Sequence, residues 1–177
     1  MNSHIILYLF LSFFIADITL ADKKNSSDFE FKIAFGSCGK QTHPLPIFHE
    51  VIKQNPNLFI FLGDNIYGDT NDMDILNKKY QQLGTKESYQ HLIQNTEVLA
   101  TWDDHDYGQN DAGKHYPHKA ESKEIFLEFF KEPKNSERYK HKGIYHSVYK
   151  KAGNKIIQII LLDNRTFRDN LVRFPKG

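Results

Sequence analysis

The chain has a single cysteine, Cys38, one tryptophan and almost no net charge, +1 at neutral pH. A lone cysteine excludes a disulfide framework, so the thiol needs another explanation. Near-neutral charge gives no support to a general polyanion-binding role, and the chain carries no nucleic acid-binding module. Internal repeats and low-complexity tracts are absent as well. Long apolar runs are scarce, and past the first twenty residues none is long enough to span a membrane. What is present, 177 residues of which 40% are hydrophobic and 25% charged, suits one globular domain with a sizeable core.

The one long apolar stretch lies at the start, from Met1 to Leu20. It is short and poorly flanked for a membrane span. Thr19-Leu20-Ala21 offers the small residues a signal peptidase reads, and Asp22-Lys23-Lys24-Asn25 turns abruptly polar. The expectation is a signal peptide over 1–21, a flexible segment over 22–30 and a domain over 31–177. The product would be secreted or periplasmic, with no transmembrane span after cleavage. No Lys or Arg precedes the run, so an uncleaved anchor is the alternative. Asn25-Ser26-Ser27 is a glycosylation acceptor in the expected tail.

The domain is organised around Asn57 to Thr70, NLFIFLGDNIYGDT. Leu58 to Leu62 is an unbroken apolar, β-favouring run, as in a strand covered on both faces. Phe31 to Gly36 predicts an earlier strand, and Pro44 to Gln54 predicts a helix through Leu45, Phe48, Val51 and Ile52. Strand, helix, strand implies a right-handed parallel crossover. The loops after the two strands then share one edge of the sheet. Helices are expected over 72–83 and 86–97, a third strand over 97–102 and an amphipathic helix over 117–131. A hairpin over 143–162 turns at Ala152-Gly153-Asn154. The Lys-rich stretch from Lys131 to Lys155 reads as a solvated face, with steering of an anionic substrate as the alternative.

Chemistry collects where the strands end. Cys38 follows the first strand, Asp64 and Tyr67 the second, Asp103-Asp104-His105-Asp106 the third, and Asp163 with Arg165 the last. Ligands in open α/β sheets bind just past strand carboxyl ends. Carboxylates crowded there repel one another unless a cation sits among them or some stay protonated. Thiol and phenol suit a trivalent or soft metal, and carboxylates suit a hard one. His105 is the natural acid for a leaving alkoxide, and Arg165 has the fork that grips phosphate. Each piece has a plainer reading: a buried thiol at a strand end, a turn-rich loop, an acidic helix cap, an arginine paired with Asp163 or Asp169. His115 and His118 read as surface histidines.

Gly36-Ser37-Cys38, Gly63-Asp64-Asn65-Ile66-Tyr67-Gly68-Asp69, Thr101-Trp102-Asp103-Asp104-His105-Asp106-Tyr107-Gly108-Gln109-Asn110-Asp111 and Leu162-Asp163-Asn164-Arg165-Thr166-Phe167-Arg168-Asp169 resemble the alkaline phosphatase D-like (PhoD-like) metallophosphatases. The resemblance implies the α/β/β/α sandwich of the calcineurin-like metallophosphoesterases, with a mixed, largely parallel sheet and metals at strand ends. It implies an exported hydrolase of phosphomonoesters or phosphodiesters that uses iron and calcium. Cys38 and Tyr67 would be iron ligands and Asp64 the bridge between metals. Asp104 takes a second metal-ligand position, Asn110 is a further candidate, and His105 is the catalytic acid. Arg165 and Asn65 are the candidate substrate contacts. Attack on phosphorus would come from a metal-bound hydroxide.

The family also carries a C-terminal half with a Gly-Asp-x-His type motif, which has no counterpart here. The expectation is therefore the N-terminal part of such an enzyme, the alternative being a non-catalytic metal- or phosphate-binding remnant. A thiol hydrolase pairing Cys38 with His105 is a third reading. It leaves Asp64, Tyr67 and Asp104 unexplained.

Overall fold

The structure, a computed structural model, describes residues 30–171, so the expected signal peptide lies outside the described residues. Among these residues the five expected strands and four expected helices occur in order, with two further four-residue helices that were not expected, over Asp104–Tyr107 and Glu137–Lys140. In chain order the elements are β1 (Ile33–Gly36), α1 (Ile47–Lys53), β2 (Leu58–Phe61), α2 (Met73–Gly84), α3 (Glu87–Asn95), β3 (Glu97–Ala100), α4 (Asp104–Tyr107), α5 (Lys119–Phe129), α6 (Glu137–Lys140), β4 (His146–Ala152) and β5 (Lys155–Leu161). The architecture is mixed α/β. Parallel and antiparallel pairings are segregated into two sheets: β1-β2-β3 is wholly parallel, and β4-β5 is a separate antiparallel hairpin.

The central strand explains the layering. All four residues of β2 are buried, and they alternate between two different neighbours. Phe59 and Phe61 join the helix-side cluster with Phe48, Tyr89 and Leu92. Phe59 and Phe61 meet edge to face at 4.8 Å, and Phe61 lies 5.4 Å from Phe130. Leu58 and Ile60 face the other way, onto Ile159 and Leu161 of β5. Burying each such side chain stabilises by roughly 1.5–3 kcal/mol. The result is helices, a parallel sheet, then the hairpin.

The hairpin alternates in the same manner. Ile157, Ile159 and Leu161 turn inward, and Ile156 and Ile160 stay 75% and 63% exposed. Gly153, at φ 61°, makes its turn, and Lys150 pairs with Glu97 across to β3. Local signals set the helix ends as well. The Asp72 carboxylate accepts from Asp74 N at 2.9 Å and Ile75 N at 3.1 Å, capping α2. The Lys-rich stretch departs from the solvated face expected of it. It contains α6, which buries Arg138; the guanidinium donates to Ile144 O, Ala100 O and Glu132 Oε2, each at 3.0 Å. No helix of the described residues is long and apolar enough to cross a membrane.

Truncating Phe61 to alanine should destabilise the chain by about 3–5 kcal/mol, whereas Ile156→Ala should stay within about 0.5 kcal/mol. Urea unfolding followed by circular dichroism checks both. Equal effects would refute the assignment of β2 as the strand covered on both faces.

Candidate metal centre

The parallel register puts the ends of β1, β2 and β3 side by side, since Gly36, Phe61 and Ala100 are aligned. The loops that follow are then laced together. Cys38 N donates to Gly63 O at 3.2 Å and Gly39 N to Asp64 O at 2.9 Å. The buried Gln41 accepts from Tyr67 N at 2.8 Å and donates to Tyr67 O at 3.3 Å. Gly63 has φ +110°, and a Cβ there would come within 2.7 Å of Asp103. Only glycine lets the second and third loops approach so closely.

The tie between those two loops is Asp106, a fully buried carboxylate. Its oxygens accept from Asn65 N at 2.8 Å, Ile66 N at 3.2 Å and Asp103 N at 3.1 Å. Burial pushes its carboxyl up to about 7, against those backbone donors.

Around this tie the expected residues converge. Asp64, Asp104 and His105 bring one ligand atom each within 4.8 Å of one another. The Cys38 thiol lies 3.6 Å from Asp64 Oδ2 and is exposed, which removes the reading of a buried apolar thiol. The Tyr67 ring packs on the His105 ring at 4.2 Å. Desolvation, then the neighbouring Cys38 and Asp64, pushes the Tyr67 phenol up to about 12. His105 Nδ1 meets Asp69 Oδ1 at 2.5 Å. Burial works against charge on this ring, but Asp69, Asp64 and Asp104 outweigh it and raise its pKa. Desolvation raises Asp64, and Asp103 and Asp104 add to that against His105. Asp104 is also desolvated, yet the Asp111 amide and Arg165 carry it below the usual carboxylate range.

Arg165 is brought to the cluster, with partners other than those expected. It pairs with Asp103 Oδ1 and, at 3.3 Å, with Asp104 Oδ1. Asp163 is occupied elsewhere: it accepts from Trp102 Nε1 at 3.0 Å, Ile144 N at 2.8 Å, Arg165 N and Thr166 N at 3.0 Å, and Thr166 Oγ1 at 2.7 Å. Those bonds overcome its desolvation and hold its pKa low. Asn65, the expected substrate contact, is buried beneath the loop, its amide donating to Thr101 O at 2.9 Å and its Oδ1 without a hydrogen-bond partner among the described residues. Asn110 is exposed and makes no side-chain hydrogen bond among the described residues. Sequence reasoning did not find the tie made by Asp106 or the pairing of Asp69 with His105. The spacing Asp103-x-x-Asp106, an acidic capping box, was the available signal for Asp106.

The donor set fits a cation. Asp64 Oδ1 is buried without a hydrogen-bond partner among the described residues, an arrangement that costs free energy unless something positive meets it. Cys38, Asp64, Asp69 and Asp111 all hold positive φ, between 48° and 62°. Such backbone strain gathers at functional sites.

A parallel α/β sheet backed by a second sheet, with acidic loops gathered at its strand ends, is the class of fold that these observations define. A solved structure of PhoD has the same fold: it superposes with a TM-score of 0.64 at 18% sequence identity, covering 79% of this chain and 32% of that one. The chain thus spans about a third of the length of the solved chain it matches. No protein-family profile and no curated protein matches the sequence.

Replacing Asp163 by alanine strands five donors and should cost about 3 kcal/mol or more. Because its folded pKa is depressed, its contribution should be complete above the unfolded carboxylate value and disappear as pH falls through the folded one. Wild type should therefore lose stability on acidification in that window, and Asp163→Ala should lose less. Parallel pH profiles for the two proteins would refute the assignment.

Proposed function

We propose that these residues form the cation- and phosphate-holding part of an exported metal-dependent phosphoric ester hydrolase, of the alkaline phosphatase D-like kind. The observation that carries this reading is the meeting of Asp64, Asp104 and His105 within 4.8 Å, with Cys38 against Asp64. The shared fold with PhoD supports it. So do the motifs at each strand end, which share their order with that family.

In this reading Cys38, Tyr67 and Asp64 hold the softer or trivalent cation, iron in the resemblance. Asp64 and Asp104 hold the harder one, calcium, with Asn110 as a further ligand. When bound, such cations supply Lewis-acid polarisation of phosphoryl oxygens and acidify water. The chain's own residues do the rest. Arg165 is oriented by Asp103 and Asp104 and presents its remaining guanidinium donors to phosphate oxygens. Asp69 holds His105 through Nδ1 and fixes its proton there. That leaves Nε2 for the leaving alkoxide, and the surrounding carboxylates raise the ring's pKa, the direction that favours a proton donor. The thiol-hydrolase reading loses ground, because the partner of the thiol is Asp64 and that of the imidazole is Asp69.

The test is hydrolysis of p-nitrophenyl phosphate by protein of measured metal content. Chelation should abolish turnover, and Asp64→Asn should lower metal content. His105→Ala should reduce kcat roughly 10²–10⁴-fold with metal retained. Turnover indifferent to chelation would overturn the proposal. A chain that binds metal and hydrolyses nothing would be the non-catalytic remnant.

A further inference from the structure

A cavity of about 720 Å³ opens away from the acidic cluster, between α5, the end of α6, the loop before α5 and the turn after β5. Its volume falls within the roughly 300–1,000 Å³ typical of small-molecule sites. Lys114, Lys119, Lys123, Lys142, His115 and His141 line it. The carboxylates that face these groups are few. Glu124 is on the wall, and Asp169 is paired with Lys114. Asp163 lies nearby, but five donors already occupy it.

Lys123 is the least expected of these residues. It is 8% exposed, and its ammonium has one acceptor among the described residues, His141 O. An ammonium has three donors, so the other two are unspent. Lys119, half-buried, likewise has one acceptor among the described residues, Lys114 O at 2.6 Å. Burial and the nearby Arg138 guanidinium push the Lys123 amine down. Buried, under-satisfied donors crowded by like charge are costly unless an anion completes them. Tyr139 and Phe167 add apolar wall beside the amines.

We propose that this cavity is a second binding site, separate from the acidic cluster, for a small organic phosphate. Lys119, Lys123 and Lys142 take its phosphate oxygens, and Tyr139 with Phe167 take its apolar part. The inference does not depend on the hydrolase reading, because no residue of the acidic cluster lines the cavity.

Phenylphosphonate is a suitable probe, since its carbon–phosphorus bond survives an esterase. Calorimetric titration into the 177-residue chain should show saturable binding, and benzyl alcohol should give none. Both proteins are titrated in excess chelator, so that the acidic cluster holds no cation for a phosphonate to meet, and there Asp104→Asn should bind phenylphosphonate as wild type does. Lys119→Glu with Lys142→Glu should weaken binding about tenfold or more, as the loss of two charge-assisted bonds implies. Circular dichroism confirms that this variant is folded, and Lys119→Gln with Lys142→Gln replaces it if it is not. Three results would each overturn the proposal: no saturation with wild type, wild-type affinity in the folded lysine variant, or loss of binding in Asp104→Asn. The last would place the anion at the acidic cluster.

Discussion

The acid-rich rim depends on one buried carboxylate. Asp106 gathers the amides of Asn65, Ile66 and Asp103, so the loop after β2 and the loop after β3 share one anchor. Without it, Asp64 and Asp104 would have no reason to stay close, since both are desolvated and like-charged. Gly63 makes the same approach possible sterically, and Gln41 binds the loop after β1 to the other two. The site is therefore a property of three strand ends of a parallel sheet, held by short polar ties that face inward.

Charge balance follows from that geometry. Asp103 and Asp104 are offset by Arg165, and Asp69 is offset by His105. Asp64 keeps an oxygen with nothing to meet it among the described residues. A crowded acidic rim with that oxygen, the unpartnered Asn65 Oδ1 next to it in the chain, a thiol beside it and a phenol packed against an imidazole has the donor character of a cation site. Four non-glycine residues held at positive φ around it show that the fold tolerates strain to keep these groups in place.

Much of this arrangement is legible in the amino-acid sequence. The apolar run of Leu58 to Leu62 marks a strand covered on both faces, because no alternation interrupts it. The strand–helix–strand order then places Cys38 and Asp64 on one edge. Other features are hidden for physical reasons. That Asp106 and not Asp104 ties the two loops depends on which amides reach it, and two of those come from residues some forty positions away. Asp69 meets His105 only because the chain curls back after Gly68, whose amide bonds His105 O at 3.0 Å. Arg138 reads as one more surface charge in a lysine-rich run. Its burial reflects the carbonyls of Ala100 and Ile144, which no local pattern reveals. Asn65, adjacent to a ligand candidate, is buried with its amide on Thr101 O, a bond that no local pattern reveals.

The central claim is that three strand-end loops build one shared cation-holding centre. Anomalous diffraction from crystals of the metal-loaded protein tests it most directly. A peak within roughly 2.0–2.6 Å of oxygen atoms of Asp64 and Asp104 is the predicted result. Metal bound elsewhere, with those carboxylates paired only to protein groups, would contradict it.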